Sequence, residues 1–92
     1  MTPDVTTLVE ELLGHVRATT GPDRGRILRT RSLVAELVRA APRPFAVEKT
    51  AREFNNAYLM LQFAALSEEP ADARGYRATC LELAQALGGR RH

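Results

Sequence analysis

Apolar residues recur along this chain at three- and four-residue intervals, which is the repeat of a helix with one buried face. Gly21-Pro22, Pro42 and Pro44 interrupt the repeat, as does the polar stretch at 67–69. No alternating, β-branched run occurs, so a sheet is not expected. The pattern therefore predicts helices at about 3–19, 26–41, 46–67 and 70–87, followed by a tail at 88–92.

A chain of 92 residues is long enough for one domain, which we place at 1–92, and too short for a second core. Its 45% hydrophobic content is ordinary for a folded globular domain. Short connections between successive helices favour antiparallel neighbours. We therefore expect the all-α class, as an up-down antiparallel four-helix bundle with the third and longest helix at its centre.

The start and the inner faces of the helices can be named from the pattern. Thr2 is the expected cap of the first helix, with Pro3 in its first helical position and Asp4 at the positive end of its dipole. The side chains expected in the core from helices one, two and four are Val5, Leu8, Val9, Leu12, Leu13, Val16, Ile27, Val34, Leu37, Val38, Ala41, Tyr76, Cys80, Leu83, Ala84 and Leu87.

The third helix has one apolar stripe more than a surface helix needs. Its expected core seam is Val47, Ala51, Phe54, Tyr58, Leu61 and Ala65, at alternating four- and three-residue spacing. Leu59, Phe63 and Leu66 form a second stripe about half a turn away, so that 57–66 is apolar on every side. A second covering surface is implied, from neighbouring helices or from another subunit. The candidate interface residues are Leu28, Leu59, Met60, Phe63 and Leu66.

This second stripe favours a non-enzymatic protein–protein interaction module or adaptor, which associates with itself as a homodimer. No catalytic or cofactor signature is found, so we expect neither an enzyme nor a bound cofactor. The N-terminus lacks the pattern of a signal peptide, and no apolar run approaches the roughly 20 residues of a membrane span. The expected location is cytoplasmic, without a membrane partner.

Basic residues suggest an alternative, a nucleic-acid-binding accessory protein. All 13 basic residues except Lys49 are Arg. This preference for Arg over Lys accompanies GC-rich coding of the bacterial type, so it can reflect genome composition instead of ligand binding. Residues 21–43 carry a net charge of +4, from six Arg against one Asp and one Glu. Arg29, Arg31 and Arg39 point in separate directions on a helix, which weakens this interpretation. The candidate contacts to nucleic acid are Arg24, Arg26, Arg29, Arg31, Arg39 and Arg43.

The pentapeptide at 52–56, Arg-Glu-Phe-Asn-Asn, resembles the phosphoacceptor box of sensor histidine kinases. In that box a His precedes an acidic residue, Phe and two Asn on the first helix of a dimeric hairpin. Arg52 stands at the position of the His and cannot accept a phosphoryl group. The resemblance therefore implies a degenerate, non-phosphorylatable dimerisation hairpin.

Metal binding and cysteine chemistry are not expected. Glu11 and His15 stand four residues apart, but a stable site needs three or four ligands and no second pair of this kind exists. Cys80 is the only cysteine and falls on the expected core face of the fourth helix, where a thiol acts as a small hydrophobe.

Overall fold

The structure is a computed structural model that describes residues 4–66 and 70–89. No strand occurs over these residues, which confirms the predicted all-α class. The four helices are α1 (Val5–Ala18), α2 (Arg24–Ala40), α3 (Pro44–Ala64) and α4 (Pro70–Leu87).

The first helix begins behind a different cap from the one predicted. Asp4 is the N-cap of α1, and its Oδ1 accepts a hydrogen bond of 2.7 Å from the Thr7 amide. This bond also holds the pKa of the Asp4 carboxyl below its ordinary value. The predicted cap at Thr2 and the predicted helical position of Pro3 lie outside the described residues. Asp is as good a cap as Thr and, when ionised, adds a favourable interaction with the helix dipole.

The α1 helix begins at Val5, two residues after the predicted start, whereas α2 and α3 begin two residues before theirs. Asp23 caps α2 by accepting a 3.0 Å hydrogen bond from the Arg26 amide, so α2 begins at Arg24. Pro44 was expected only to separate two helices. It occupies the first turn of α3, where its missing amide proton is not needed. At its other end, α3 stops at Ala64, and Leu66 lies in a turn.

The helices pack around one shared core. α3 packs against α2 and α4, and α1 packs against the same two helices, so the contacts close into a ring. Phe54 and Tyr58 lie at the centre of α3 with stacked rings whose centroids are 5.8 Å apart. The buried apolar side chains are Leu8, Val9, Leu12, Leu13, Val16, Leu33, Val34, Leu37, Ala51, Phe54, Tyr58, Leu61, Cys80, Ala84 and Leu87.

Four buried side chains were not in the expected core: Thr19, Thr30, Leu33 and Gln62. Leu33 and Thr30 are buried on α2 because that helix is covered by both α1 and α3, which widens its inner face. Gln62 is buried on α3 and hydrogen-bonded to the chain between α1 and α2. Conversely, Ile27 and Val38 are only partly buried.

Polar contacts hold the end of α1 against α3 and α4. The Arg77 guanidinium on α4 donates hydrogen bonds to the carbonyl oxygens of Val16 and Thr19, at 2.6 and 3.0 Å. The Thr19 hydroxyl donates to the His15 carbonyl and is 2.7 Å from the Tyr58 hydroxyl. In the last turn of α1, the carbonyl groups of His15, Val16 and Arg17 thereby gain hydrogen-bond donors from outside the helix.

Replacing Gly88 tests the close packing of the end of α4 against α1. A Cβ atom at this position would lie 2.5 Å from Cγ2 of Val9, which is fully buried. A β-branched side chain in a packed core has no free rotamer into which it can move. We expect Gly88→Ala to lower the free energy of unfolding by about 1–3 kcal/mol in urea denaturation.

Gly14→Ala is the matched control. Gly14 lies inside α1, and a Cβ there would meet no atom within 4 Å. The substitution should raise stability by about 0.5–1 kcal/mol, since Ala is the better helix former. Equal stability of Gly88→Ala and the wild type would show that α4 does not end against Val9.

Candidate protein interaction surface

The outward side of α3 carries large apolar side chains that the described residues leave exposed. Phe63 and Leu66 each expose 66% of their surface, Met60 exposes 47%, and Leu28 on α2 exposes 57%. Leu59 is half-buried. We call these five residues the apolar patch. Three of them lie in the last six residues of α3 and Leu66 lies in the turn that follows, so these four are close enough to act as one surface.

The patch lies opposite the core side of α3. Phe63 is about half a turn away from Phe54 and Tyr58, which are buried, so its ring points away from the bundle. Leu66 is next to the loop between α1 and α2, since its Cδ2 would be 3.7 Å from a Cβ on Gly21. The patch therefore extends from the middle of the outward face toward α2.

Leu28 is the member of the patch that lies on α2. Arg29, the next residue, points to α1, where it binds Glu11. Leu28 lies half a turn from the buried Leu37, so it faces away from the core on the outward side of α2.

Buried hydrogen bonds fix the rotation of α3 and therefore the direction of the patch. The Gln62 side-chain oxygen accepts a hydrogen bond of 2.9 Å from the Asp23 amide, which ties the end of α3 to the start of α2. The Gln62 Nε2 has no hydrogen-bond partner among the described residues. With Gln62 and Tyr58 held on the inner side, Phe63 cannot turn inward without breaking these bonds.

Phe45 is a second exposed aromatic residue, which the sequence analysis missed. It lies in the first turn of α3, on the same side as Phe63, and exposes 86% of its surface. Its spacing from the second stripe could have revealed it. The residues between them on the same side of the helix, Lys49, Arg52 and Asn56, are polar, which hid the continuation of the stripe.

Two of the six candidate arginines are engaged within the chain. The Arg29 guanidinium donates two hydrogen bonds to the Glu11 carboxylate, at 2.6 and 2.9 Å. Arg26 donates to His15 Nδ1 at 2.8 Å, which leaves the imidazole proton on Nε2, facing Glu11. These contacts join α1 to α2 and make Arg26 and Arg29 less available to a nucleic acid.

The Arg29 hydrogen bonds hold the pKa of Glu11 below its ordinary value. A carboxyl with a lowered pKa in the folded state stabilises the fold above its unfolded pKa. This contribution is lost as the pH falls through the folded pKa. The pair is exposed to solvent, so its effect on stability is small.

The other four arginines are exposed and have no ion-pair partner among the described residues. Arg29, Arg31 and Arg39 do point in separate directions, as the helical repeat indicates. Arg24, Arg31 and Arg39, however, recur after seven and eight residues and share the outward side of α2 with Leu28. Arg43 follows in the connection to α3.

The described residues give little support to a metal site, to a cysteine nucleophile or to a membrane-spanning helix. No group of three or more His, Cys, Asp or Glu side chains that could hold a metal ion occurs there. Burial raises the pKa of the Cys80 thiol to about 12, so the thiol is not activated as a nucleophile. None of the helices in 4–66 and 70–89 has the length and apolar character needed to cross a membrane.

No protein-family model matches the chain, and no curated protein or solved structure matches it significantly. The resemblance to the phosphoacceptor box thus remains confined to 52–56 and the apolar run that follows it. Within it, Arg52 is exposed and Phe54 belongs to the core.

Replacing Gln62 tests whether it ties α3 to α2. Gln62→Ala leaves the Asp23 amide without its acceptor, and we expect a loss of about 1–3 kcal/mol in the free energy of unfolding. Asn56→Ala is the control, because Asn56 is exposed on the same helix and should change stability by less than about 0.5 kcal/mol. If urea denaturation showed equally small losses in the free energy of unfolding for Gln62→Ala and Asn56→Ala, the assigned role of Gln62 would be contradicted.

Proposed function

We propose that this protein is a non-enzymatic interaction module that forms a homodimer through the apolar patch, without a cofactor. The observation that supports it is the exposure of Met60 and Phe63 at the end of α3, of Leu66 in the turn that follows, and of Leu28 on α2. Single exposed apolar residues are common, but a group of this size on one surface is typical of interaction sites.

Burial of the patch would supply the free energy of association. Fully burying a Leu, Met or Phe side chain contributes about 1.5–3 kcal/mol. The four exposed side chains of each copy are already partly covered, so eight of them contribute roughly 7–14 kcal/mol together. Association costs about 4–15 kcal/mol. The expected dimer is therefore concentration-dependent rather than permanent.

The proposed topology is an up-down antiparallel four-helix bundle with α3 at its centre. Its first support is the ring of helix contacts, together with the Gln62 bond that joins the end of α3 to the start of α2. Its second support is an apolar crevice at the opposite end, of about 100 Å³. Val5, Ala40, Val47 and Leu87 line it, from the first residue of α1, the last of α2, the first turn of α3 and the last residue of α4.

Phe63→Asp tests the dimer. A carboxylate in a closed apolar interface is desolvated without a partner, so the dissociation constant should rise at least about 100-fold in sedimentation equilibrium. Because Phe63 is mostly exposed in one subunit, the variant should keep the helical circular dichroism of the wild type and unfold at a similar temperature in dilute solution.

Phe45→Asp is the control, since it makes the same chemical change on the same side of α3 but outside the patch. We expect this variant to have the dimerisation constant of the wild type. A monomeric wild type at high micromolar concentration, or equal effects of the two substitutions, would contradict self-association through the patch.

Nucleic-acid binding is a second candidate, favoured by the exposed arginines on one side of α2. Arg24, Arg31 and Arg39 are about 10–12 Å apart along the helix axis, from a rise of about 1.5 Å per residue. Exposed cations at such intervals can each neutralise a phosphate. The side chains offered to base edges are few, so this binding would not be sequence-specific.

The dependence of binding on salt concentration distinguishes nucleic-acid binding from apolar dimerisation. Binding of a fluorescent DNA duplex through three phosphate contacts should weaken with a log–log salt slope near −2.7. Arg31→Gln should then reduce affinity and lower the slope by about one contact, whereas Arg29→Gln should have little effect because Glu11 engages Arg29. Absence of binding at low salt would remove this candidate, while the apolar dimer should persist at high salt.

A further inference from the structure

We infer that protonation of His15 opens a polar link between α1 and α2, because the Arg26 guanidinium then moves from the imidazole to the Asp23 carboxylate. This pH response belongs to the single subunit and is independent of the proposed dimer and of nucleic-acid binding. Its origin is the geometry of the His15 ring, whose two nitrogen atoms face groups of opposite charge.

The His15 ring lies between a cation and an anion. Its Nδ1 atom is 2.8 Å from Nη1 of Arg26 on α2, and its Nε2 atom is 3.5 Å from the Glu11 carboxylate on α1. A guanidinium only donates hydrogen bonds, so Nδ1 is the acceptor and carries no proton. The link between Arg26 and His15 therefore requires a neutral imidazole.

Protonation of the ring changes both of these contacts. In an imidazolium both nitrogen atoms are donors, so the N–H at Nδ1 would point at the Arg26 cation. The side chains of His15 and Arg26 are only 21% and 29% exposed, so water screens the repulsion between the two charges incompletely. At Nε2, the positive charge strengthens the contact with the Glu11 carboxylate. His15 thus exchanges a bond to α2 for a stronger contact within α1.

Arg26 has a second acceptor within reach. Its Nε atom is 3.9 Å from Oδ2 of Asp23, whose other oxygen, Oδ1, accepts a hydrogen bond from the Arg26 amide at the start of α2. A small rotation of the side chain closes the 3.9 Å distance and leaves the helix cap in place. Arg26 also lines a polar pocket of about 130 Å³ with Thr20, Gly21 and Pro22, so the guanidinium has room to move.

The other charged groups near the ring keep their charge over the same pH range. Arg29 from α2 donates two hydrogen bonds to Glu11, which hold the pKa of the Glu11 carboxyl below its ordinary value, so Glu11 is still mostly ionised at pH 5. Arg77 from α4 reaches the end of α1, but it donates to backbone carbonyl groups there. Histidine is the side chain that ordinarily changes its charge between pH 5 and 8. His15 is therefore the group that drives the exchange.

A double-mutant cycle at two pH values tests the exchange in the full chain. His15→Ala, Arg26→Ala and the double variant are compared with the wild type by urea denaturation at pH 8 and pH 5. At pH 8, we expect the pair to favour folding by about three- to tenfold in the equilibrium constant. At pH 5, this factor should fall to about one or below, since the proton opposes the contact. His92 is present in all four proteins, so its titration cancels.

The pair of Glu11 and Arg29 is the matched control on the same two helices. Its coupling is measured with Glu11→Ala and Arg29→Ala in the His15→Ala background, where no imidazole competes for the carboxylate. Both charges persist from pH 8 to pH 5, so this coupling should be the same at both pH values. A coupling of His15 with Arg26 that is absent at pH 8, or equal at the two pH values, overturns the inference. So does one that falls only in parallel with the control.

The coupling of Arg26 with Asp23 tests where the guanidinium goes. Asp23→Asn removes the charge but keeps a good helix cap, so the cycle with Arg26→Ala reports the ion pair and not the start of α2. We expect this coupling to be larger at pH 5 than at pH 8. An unchanged coupling would show that Arg26 leaves His15 for water, which overturns the transfer to Asp23.

Discussion

The exposed apolar surface depends on the burial of the opposite face of α3. Phe54, Tyr58 and Leu61 fill the centre of the core, so the helix cannot turn its other apolar stripe inward. A helix in a bundle has one inner face, and Phe63 must therefore face out of the subunit. The exposure of Phe63 is thus a consequence of the packing of α3, and Leu66 extends the apolar surface into the turn that follows.

Polar contacts reinforce this constraint at one end of the bundle. Gln62 binds the start of α2, Tyr58 reaches the Thr19 hydroxyl, and Arg77 covers the last carbonyl groups of α1. All three act near the end at which the patch lies. These directed hydrogen bonds restrain the helix ends near the patch, so the patch is held in one orientation. Fixed presentation lowers the entropy that association has to offset.

Much of the fold could be predicted because periodicity reports burial directly, as for Leu12 on α1 and Phe54 on α3. Helix starts were less predictable, since Asp4 competed with Thr2 as the cap of α1, and α2 begins directly after Asp23, two residues before the predicted start. Gln62 was missed because a buried amide has no periodic signature and depends on a partner 39 residues away. Periodicity showed the second stripe. It did not show what covers the stripe, because the apolar pattern is the same for a cover from the same chain and for a cover from a second copy.

Isotope-filtered NMR on a mixture of labelled and unlabelled protein tests the central claim most directly. At millimolar concentration, the account predicts intermolecular nuclear Overhauser effects that connect the Met60 methyl and Leu59 methyl groups with the Phe63 ring. A dimer whose intermolecular effects arise only from other surfaces, with the patch still in water, would contradict the account.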